Sequence, residues 1–431
     1  MKTDGRSDAQ QFLRKHHMHP DDILFEACAA ESEADMLAGL AGRPVSFEML
    51  PCYLSMQQDL PPVEKDILVL DAGGTNLRLA TVHSRGAYDL DIAIRTKQLM
   101  PGVERPVDAD EMFDALARSA MPILPGMDCI GFCFSYAMDM QEDRDGKIRF
   151  ICKSIRIDNA PGRLVGAGLN QGIVRHGGRE METAVVNDAV AVALAAQSNH
   201  TEYSAYIGMI VGTGFNICYA ERTDQIAGAA AYHSPDMLIN LESDKFFKMR
   251  RGTFDREYET VTGDNDHPTM KMLTGAYLGG LCYLTFLGAA RERLVSEETG
   301  AALEELGALT TECLCQFLGD PRGDSPVALC CRTASDADCL AELALLLIER
   351  GSKLVAAILR AVIHRSYRYR GDRPVCICVE GSTIQKVPTM KEKICAYLAA
   401  HTDPVHERFE MISLEHATIR GAAIAALQHR A

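Results

Sequence analysis

Two groups of residues in this chain have the types and spacing that phosphoryl chemistry needs. The first lies in ILVLDAGGTNLRLATV, Ile67 to Val82, where Asp71 and the run Gly73, Gly74, Thr75, Asn76 separate two apolar segments and Arg78 follows. Adjacent glycines let a backbone approach a bulky anion, and Thr75 and Asn76 add donors for phosphate oxygens. A carboxylate at the end of the first apolar run is a hard ligand for a cation beside that phosphate. Taken alone, the stretch also reads as an ordinary Gly-rich turn. It is neither a Walker A loop nor the three-glycine dinucleotide fingerprint. The second group is VVNDAVAVAL, where Asn187 and Asp188 leave an apolar strand and open a helix. An acid there either complements the helix dipole or faces a crevice as a general base, and the helix terminus favours its ionised form.

The segments around these groups must place them. From Asp66 the pattern is strand-rich, in DILVLDAGG, LRLATVH and LDIAIRTKQ, then helical in DADEMFDALARSAM, then a short buried strand in CIGFCFSYAM. METAVVNDAVAVALAAQ reads as a strand running into a helix. YSAYIGMIVGTGFNICYAER is a second hairpin, turning on Gly212, Thr213 and Gly214. The two hairpins share a plan of apolar strand, Gly-Thr turn with an asparagine beside it, and apolar return strand. Facing each other, they would clamp one polyphosphate between two lobes. The later half is mostly helical, as in DADCLAELALLLIERGSKLVAAILRAVIHRSY. It returns to a strand in PVCICVEGSTI, turns on Gly381 and Ser382, and resumes a helix near Pro388. The first 60 residues alternate short helical patterns with polar joints and end in MLPCYLSMQQDLPP, whose prolines impose an extended entry to the first strand. His16, His17 and His19 read as a solvated helix end, since no cysteine or acid is spaced with them as a ligand set. The class is α/β.

The 431 residues allow more than one domain and a large core. Apolar and charged fractions of 47% and 24% are those of a soluble globular protein, and no run reaches a membrane span. The net charge of −15 argues against nucleic acid or an anionic membrane as partner. Fifteen scattered cysteines without paired ligand spacing, and no apolar leader, point to reduced thiols in a cytoplasmic protein.

From about Met49 onward the chain resembles the hexokinase family of the actin-like ATPase fold group. MLPCYL and LVLDAGGTNLRLATV resemble the family's entry segment and first phosphate hairpin, and GFCFSYAM its Gly-Phe-Thr-Phe-Ser-Phe-Pro sugar loop. VVNDAVAVAL resembles the catalytic Asn-Asp-Thr segment, IGMIVGTGFNICYAE the second phosphate hairpin, and LINLES the Ile-Asn-Thr-Glu sugar contact. MLTGAYLGG, VEGSTIQKVP and RGAAIAAL resemble the helix entering the large lobe, the adenosine turn and the closing helix.

The resemblance implies a two-lobed fold with the active site between lobes. It implies ATP- and Mg²⁺-dependent phosphorylation of a hexose at its terminal hydroxyl. Asp188 is then the general base, and Asp71 holds Mg²⁺ through water. Gly73, Gly74, Thr75, Asn76, Arg78, Gly212, Thr213, Gly214, Gly381, Ser382 and Thr418 hold the nucleotide, while Ser135, Lys153, Asn187, Asn216 and Glu242 hold the sugar. Partners are the hexose and ATP, and a homodimer is compatible with the family. The implied division is a helical start of the large lobe over 1–65, a small lobe over 66–186, a large lobe over 187–416, and a helix over 417–431 returning to the small lobe. The sequence departs from the family at Cys152 and Ser154 around the loop lysine, at Ala137 and Met138 in place of the loop's end, and at Phe215 in the second hairpin. His267 and Met270 stand where many members carry Gln and Glu. A thioether is a poor acceptor for a sugar hydroxyl. These changes leave the phosphate groups whole and bear on which sugar is taken. A catalytically lapsed sugar- or nucleotide-binding regulator on the same fold is the alternative reading.

Overall fold

A computed structural model describes residues 7–57, 60, 64–86, 88–151, 155–199, 203–263, 266–368, 371 and 373–428. The principal strands are β1 (Leu50–Pro51), β2 (Lys65–Ala72), β3 (Asn76–Ser84), β4 (Leu90–Leu99), β5 (Cys129–Phe134) and β6 (Thr183–Val186), followed by β7 (Ala205–Val211), β8 (Phe215–Arg222), β9 (Asp236–Asn240), β10 (Val375–Glu380) and β11 (Phe409–Ile412). They form a five-stranded sheet in the order β6-β5-β2-β3-β4 and a six-stranded sheet in the order β1-β9-β8-β7-β10-β11.

The sheets share one plan, which extends the likeness of the two hairpins. In the first, β2, β3 and β4 are antiparallel neighbours and β2, β5 and β6 run parallel. In the second, β7, β8 and β9 are antiparallel and β7, β10 and β11 parallel. Parallel neighbours need crossovers. Helices Ala109–Ala120 and Val165–Arg175 serve the first sheet, and Ala334–Arg365 and Met390–His401 the second. Because β2 and β7 are central and apolar on both faces, each sheet can carry helices on both sides.

Two helices join the lobes, Asp188–Asn199 and Ala417–Leu427. Both are rich in alanine, and their buried residues form one apolar cluster with Ile67 and Val69 of β2 and Cys376 and Cys378 of β10. Contact is backbone to backbone: a Cβ on Gly421 would stand 1.8 Å from the Ala191 carbonyl oxygen, and one on Gly131 of β5 would stand 2.4 Å from that of Ala422. Arg144 caps the far end of the C-terminal helix by donating to the carbonyls of Ala425 (3.2 Å) and Gln428. The 32-residue helix Ala334–Arg365 starts on a capping box, Thr333 with Asp336. Asp336 also accepts from Ser296 N (2.8 Å), Ser296 Oγ (2.8 Å) and Thr299 Oγ1 (2.9 Å), tying that helix to the start of Glu297–Leu306. Among the described residues no helix is long and apolar enough to cross a membrane.

Candidate active site

The tips of the two hairpins face each other across a cavity of about 290 Å³. Its walls contain every residue that the sequence assigned to phosphate or nucleotide: Asp71, Gly73, Gly74, Thr75, Asn76 and Arg78, then Gly212, Thr213 and Gly214, then Gly381, Ser382 and Thr418. Ser135 and Asp188 are in the same wall. The first tip is closed by Gly73 N donating to Asn76 O (2.9 Å), and the second by Gly212 N donating to Gly214 O (2.9 Å). Gly212 O accepts from Gly275 N (2.9 Å) and Thr383 Oγ1 (2.7 Å), so the second tip is braced by two further segments.

Charge in this cavity is organised around Arg78. Its Nε donates to Asp71 Oδ2 (2.8 Å), and its Nη2 reaches Thr418 Oγ1 (3.1 Å) and Glu380 Oε1 (3.4 Å). Thr418 Oγ1 donates to Asp71 Oδ2 (2.9 Å). Burial works against the Arg78 charge, but Asp71 and Glu380 outweigh it and hold the guanidinium above its usual range. Burial, and then the Asp71 charge, push the Glu380 carboxyl up, with Arg78 opposing. Cys133 on β5 is buried among Asp71, Asp188 and Glu380, and burial and these charges push its thiol well above the ordinary value, so it stays protonated. A magnesium–nucleotide pair fits this donor set: Asp71 and Glu380 offer hard oxygens, and both side-chain bonds to Asp71 fall on Oδ2, leaving Oδ1 out of them.

A second polar cluster adjoins the first. Asn187 ends the approach to the helix Asp188–Asn199 and, with Asp188, accepts from Ala189 N, each at 2.9 Å. Asn216 Nδ2 donates to Asn240 Oδ1 (2.7 Å), Glu242 Oε1 (3.2 Å) and Asn187 Oδ1 (3.3 Å), and Asn240 Nδ2 donates to Glu242 Oε1 (2.8 Å). Glu242 adopts φ +54°, a left-handed backbone that is strained for a non-glycine residue. Planar amides and a carboxylate held this way suit paired hydroxyls.

The structure thus brings together Ser135, Asn187, Asp188, Asn216 and Glu242, while Lys153 and Cys152 lie outside the described residues. Phe215 is 2% exposed and belongs to the large-lobe core with Ile217 and Tyr219, because strand alternation turns it away from Asn216. Its departure from the family is therefore a packing change. Met270 is 1% exposed, in the short helix Pro268–Leu273. The nearby acids Glu257 and Glu259 are engaged by Arg291 (3.4 Å) and Arg251 (2.9 Å). Sequence reasoning missed Asn240, Glu380 and Lys97. Asn240 lies two residues before Glu242 within LINLES, and Lys97 pairs in register with Arg78.

Contacts also run directly between the lobes. Glu48, whose N–H donates to Leu241 O of the large lobe (2.9 Å), pairs with Lys245 and with Arg149 Nη1 (2.8 Å). Arg149 belongs to the small lobe, its N–H donating to Ala137 O (3.0 Å). Lys245 Nζ lies 4.1 Å over the Phe150 ring, and that ring stands 5.9 Å from His267.

Models of the hexokinase family match residues 8–198 and 206–428. Hexokinase from Brugia malayi is 24% identical over 92% of this chain and 73% of its own length. Hexokinase-1 from Schizosaccharomyces pombe is 28% identical over 58% of this chain and 54% of its own, and human Hexokinase-2 is 24% identical over 91% and 45%. The structure of Schistosoma mansoni hexokinase complexed with glucose superposes with a TM-score of 0.82 at 21% identity, covering 98% of this chain and 100% of that one. That likeness carries the two-lobed actin-like fold. The matched models span nearly all of the sequence, so the chain belongs to the hexokinase family, the ATP-dependent kinases of hexoses.

Proposed function

We propose that this chain transfers the γ-phosphoryl group of ATP to the terminal (6-) hydroxyl of a hexose, with Asp188 accepting the hydroxyl proton. The observation that carries the assignment is the place of Asp188. It lines the cavity shared by both hairpins, while its neighbour Asn187 is bonded into the Asn216, Asn240 and Glu242 cluster. A hydroxyl held on that cluster would face the base on one side and the phosphates on the other. Phosphoryl transfer is governed by positioning and charge, so a weak base suffices when the proton leaves late.

The hairpin amides, Arg78 and Lys97 would bind the phosphate oxygens, and Gly381, Ser382 and Thr418 the rest of the nucleotide. Asp71 would hold magnesium, which would supply neutralisation of the phosphate charge. Ser135, Lys153, Asn187, Asn216, Asn240 and Glu242 would orient the sugar. Lobe closure would exclude water from the phosphoryl group. Partners are small molecules. Every cysteine among the described residues is free, which supports a reducing, cytoplasmic setting.

With Met270 at the place of a family carboxylate, the anomeric end of the ring is loosely specified. We therefore expect a high KM for glucose or a preference for mannose, fructose or a 2-substituted hexose. Met270 also favours the second reading, a lapsed sugar-binding regulator. ADP release measured over a panel of hexoses and amino sugars separates the two. Sugar-dependent release supports the kinase, and calorimetric sugar binding without release supports the regulator.

A further inference from the structure

Beyond the hard oxygens it offers, Glu380 is an acid in the cavity to which the mechanism above gives no task. It ends β10, in register with Ile210 just ahead of the second hairpin tip. The following Gly381 has φ +130°, and a Cβ there would stand 2.3 Å from Val211 O, so only glycine lets the backbone close on that hairpin. The main chain of Glu380 is therefore fixed to the second hairpin. Its side chain reaches the first: Oε1 accepts from Arg78 Nη2 (3.4 Å) and Oε2 from Thr418 N (3.1 Å). Thr418 in turn bonds Asp71 and Arg78. One carboxylate thus connects the large-lobe sheet, the small-lobe hairpin and the first turn of the C-terminal helix.

An acid inside an anion cavity also repels the ligand. Glu380 therefore has two opposed effects, ordering Arg78 and Thr418 and opposing the incoming phosphates, and the sign of the net effect can be measured. We propose that ordering dominates, and that Glu380 is a positioning residue for nucleotide binding which sets the spacing of the two hairpins. Through Nε and Nη2, Arg78 is bonded to Asp71, Thr418 and Glu380, each from a different element, which fixes the guanidinium plane. Without Glu380 it would be held by Asp71 and Thr418, both on one side of the cleft. The proposal rests on the reading of this cavity as the ATP site.

The test measures binding of a fluorescent trinitrophenyl-ATP, and its displacement by ATP, in wild type, Glu380→Gln and Glu380→Asp. Losing a bond to a charged partner should weaken nucleotide about tenfold in Glu380→Gln. Glu380→Asp keeps the charge but is one methylene too short to reach both Arg78 and Thr418, so it should weaken binding as well. KM for ATP should rise more than kcat falls, and sugar affinity by calorimetry should not move. Unchanged or tighter nucleotide binding in Glu380→Gln overturns the proposal, because repulsion would then dominate. Loss of sugar affinity together with nucleotide affinity also overturns it, as that marks a general structural role. Because binding is read without turnover, a wild type that binds nucleotide but phosphorylates no sugar would sink the kinase assignment and leave this test standing.

Discussion

Asp188 is the first residue of its helix, and its Oδ1 accepts from Ala189 N, so its side chain is oriented before any substrate arrives. Removing a positioned base costs on the order of 10² to 10⁴ in rate, so Asp188→Ala should lose at least about a hundredfold in kcat while sugar affinity stays near wild type. Retention of more than about a tenth of kcat in a stopped assay would remove the base role. Met270 offers a second residue-scale experiment. A carboxylate there could grip hydroxyls at the anomeric end, and a hydrogen bond to a charged group is worth about 1.5–3 kcal/mol, or one to two orders of magnitude in affinity. Met270→Glu should lower the glucose KM at least several-fold with ATP dependence unchanged. It should also lower the melting temperature of the sugar-free protein, because the site is buried and a carboxylate without a partner is costly there. A wild type already saturated by micromolar glucose would remove the premise.

At the scale of elements, Asp336 joins the long helix to its neighbour. Burial would raise its carboxyl, but hydrogen bonds from Ser296, Thr299 and Thr333 outweigh it and hold it down at about 2, against an ordinary 3.8. A depressed carboxylate stabilises the fold above its ordinary value and loses that effect as pH falls toward the folded one. Asp336→Asn should therefore cost about 2 kcal/mol in urea unfolding at neutral pH, and its gap from wild type should close between pH 4 and pH 2. A gap that does not change with pH would mean the charge contributes nothing. The hairpins, the strand into the Asp188 helix and the long amphipathic helix were legible in the sequence, because apolar period and glycine turns act over a few residues. What was not legible depends on tertiary placement. Glu380 and Arg78 are 302 residues apart and meet only when the two sheets face each other. Whether Phe215 is a sugar contact or a core residue turns on which face of β8 is buried, and that follows from the helices packed behind it. Asn240 was within reach of the sequence, since it stands two residues before Glu242 in the same LINLES motif, and its amide donates to that carboxylate (2.8 Å).

At the scale of the molecule, the Glu48, Lys245 and Arg149 cluster ties the two lobes directly to each other. Arg149 and Glu48 are 35% and 21% exposed. A pair this wet is worth about 0.2–1 kcal/mol, a few-fold in the ratio of closed to open. Arg149→Ala should raise sugar KM by that factor and enlarge the sugar-free molecule in small-angle scattering. High salt should do the same to wild type and add little to the variant. Equal salt responses would show that the cluster does not bias closure. The C-terminal helix has another consequence, in the order of synthesis. Thr418, bonded to Asp71 347 residues before it, and the alanine face behind it lie against β2 and β5, strands made long before this helix. While the chain is being made, the small-lobe sheet has an uncovered apolar face and its phosphate cavity lacks a wall. Both are completed only after the large lobe has been threaded in between. A nascent chain can therefore acquire most of its secondary structure without being able to grip nucleotide, and a truncation just before residue 417 should yield an aggregation-prone protein rather than a weak enzyme.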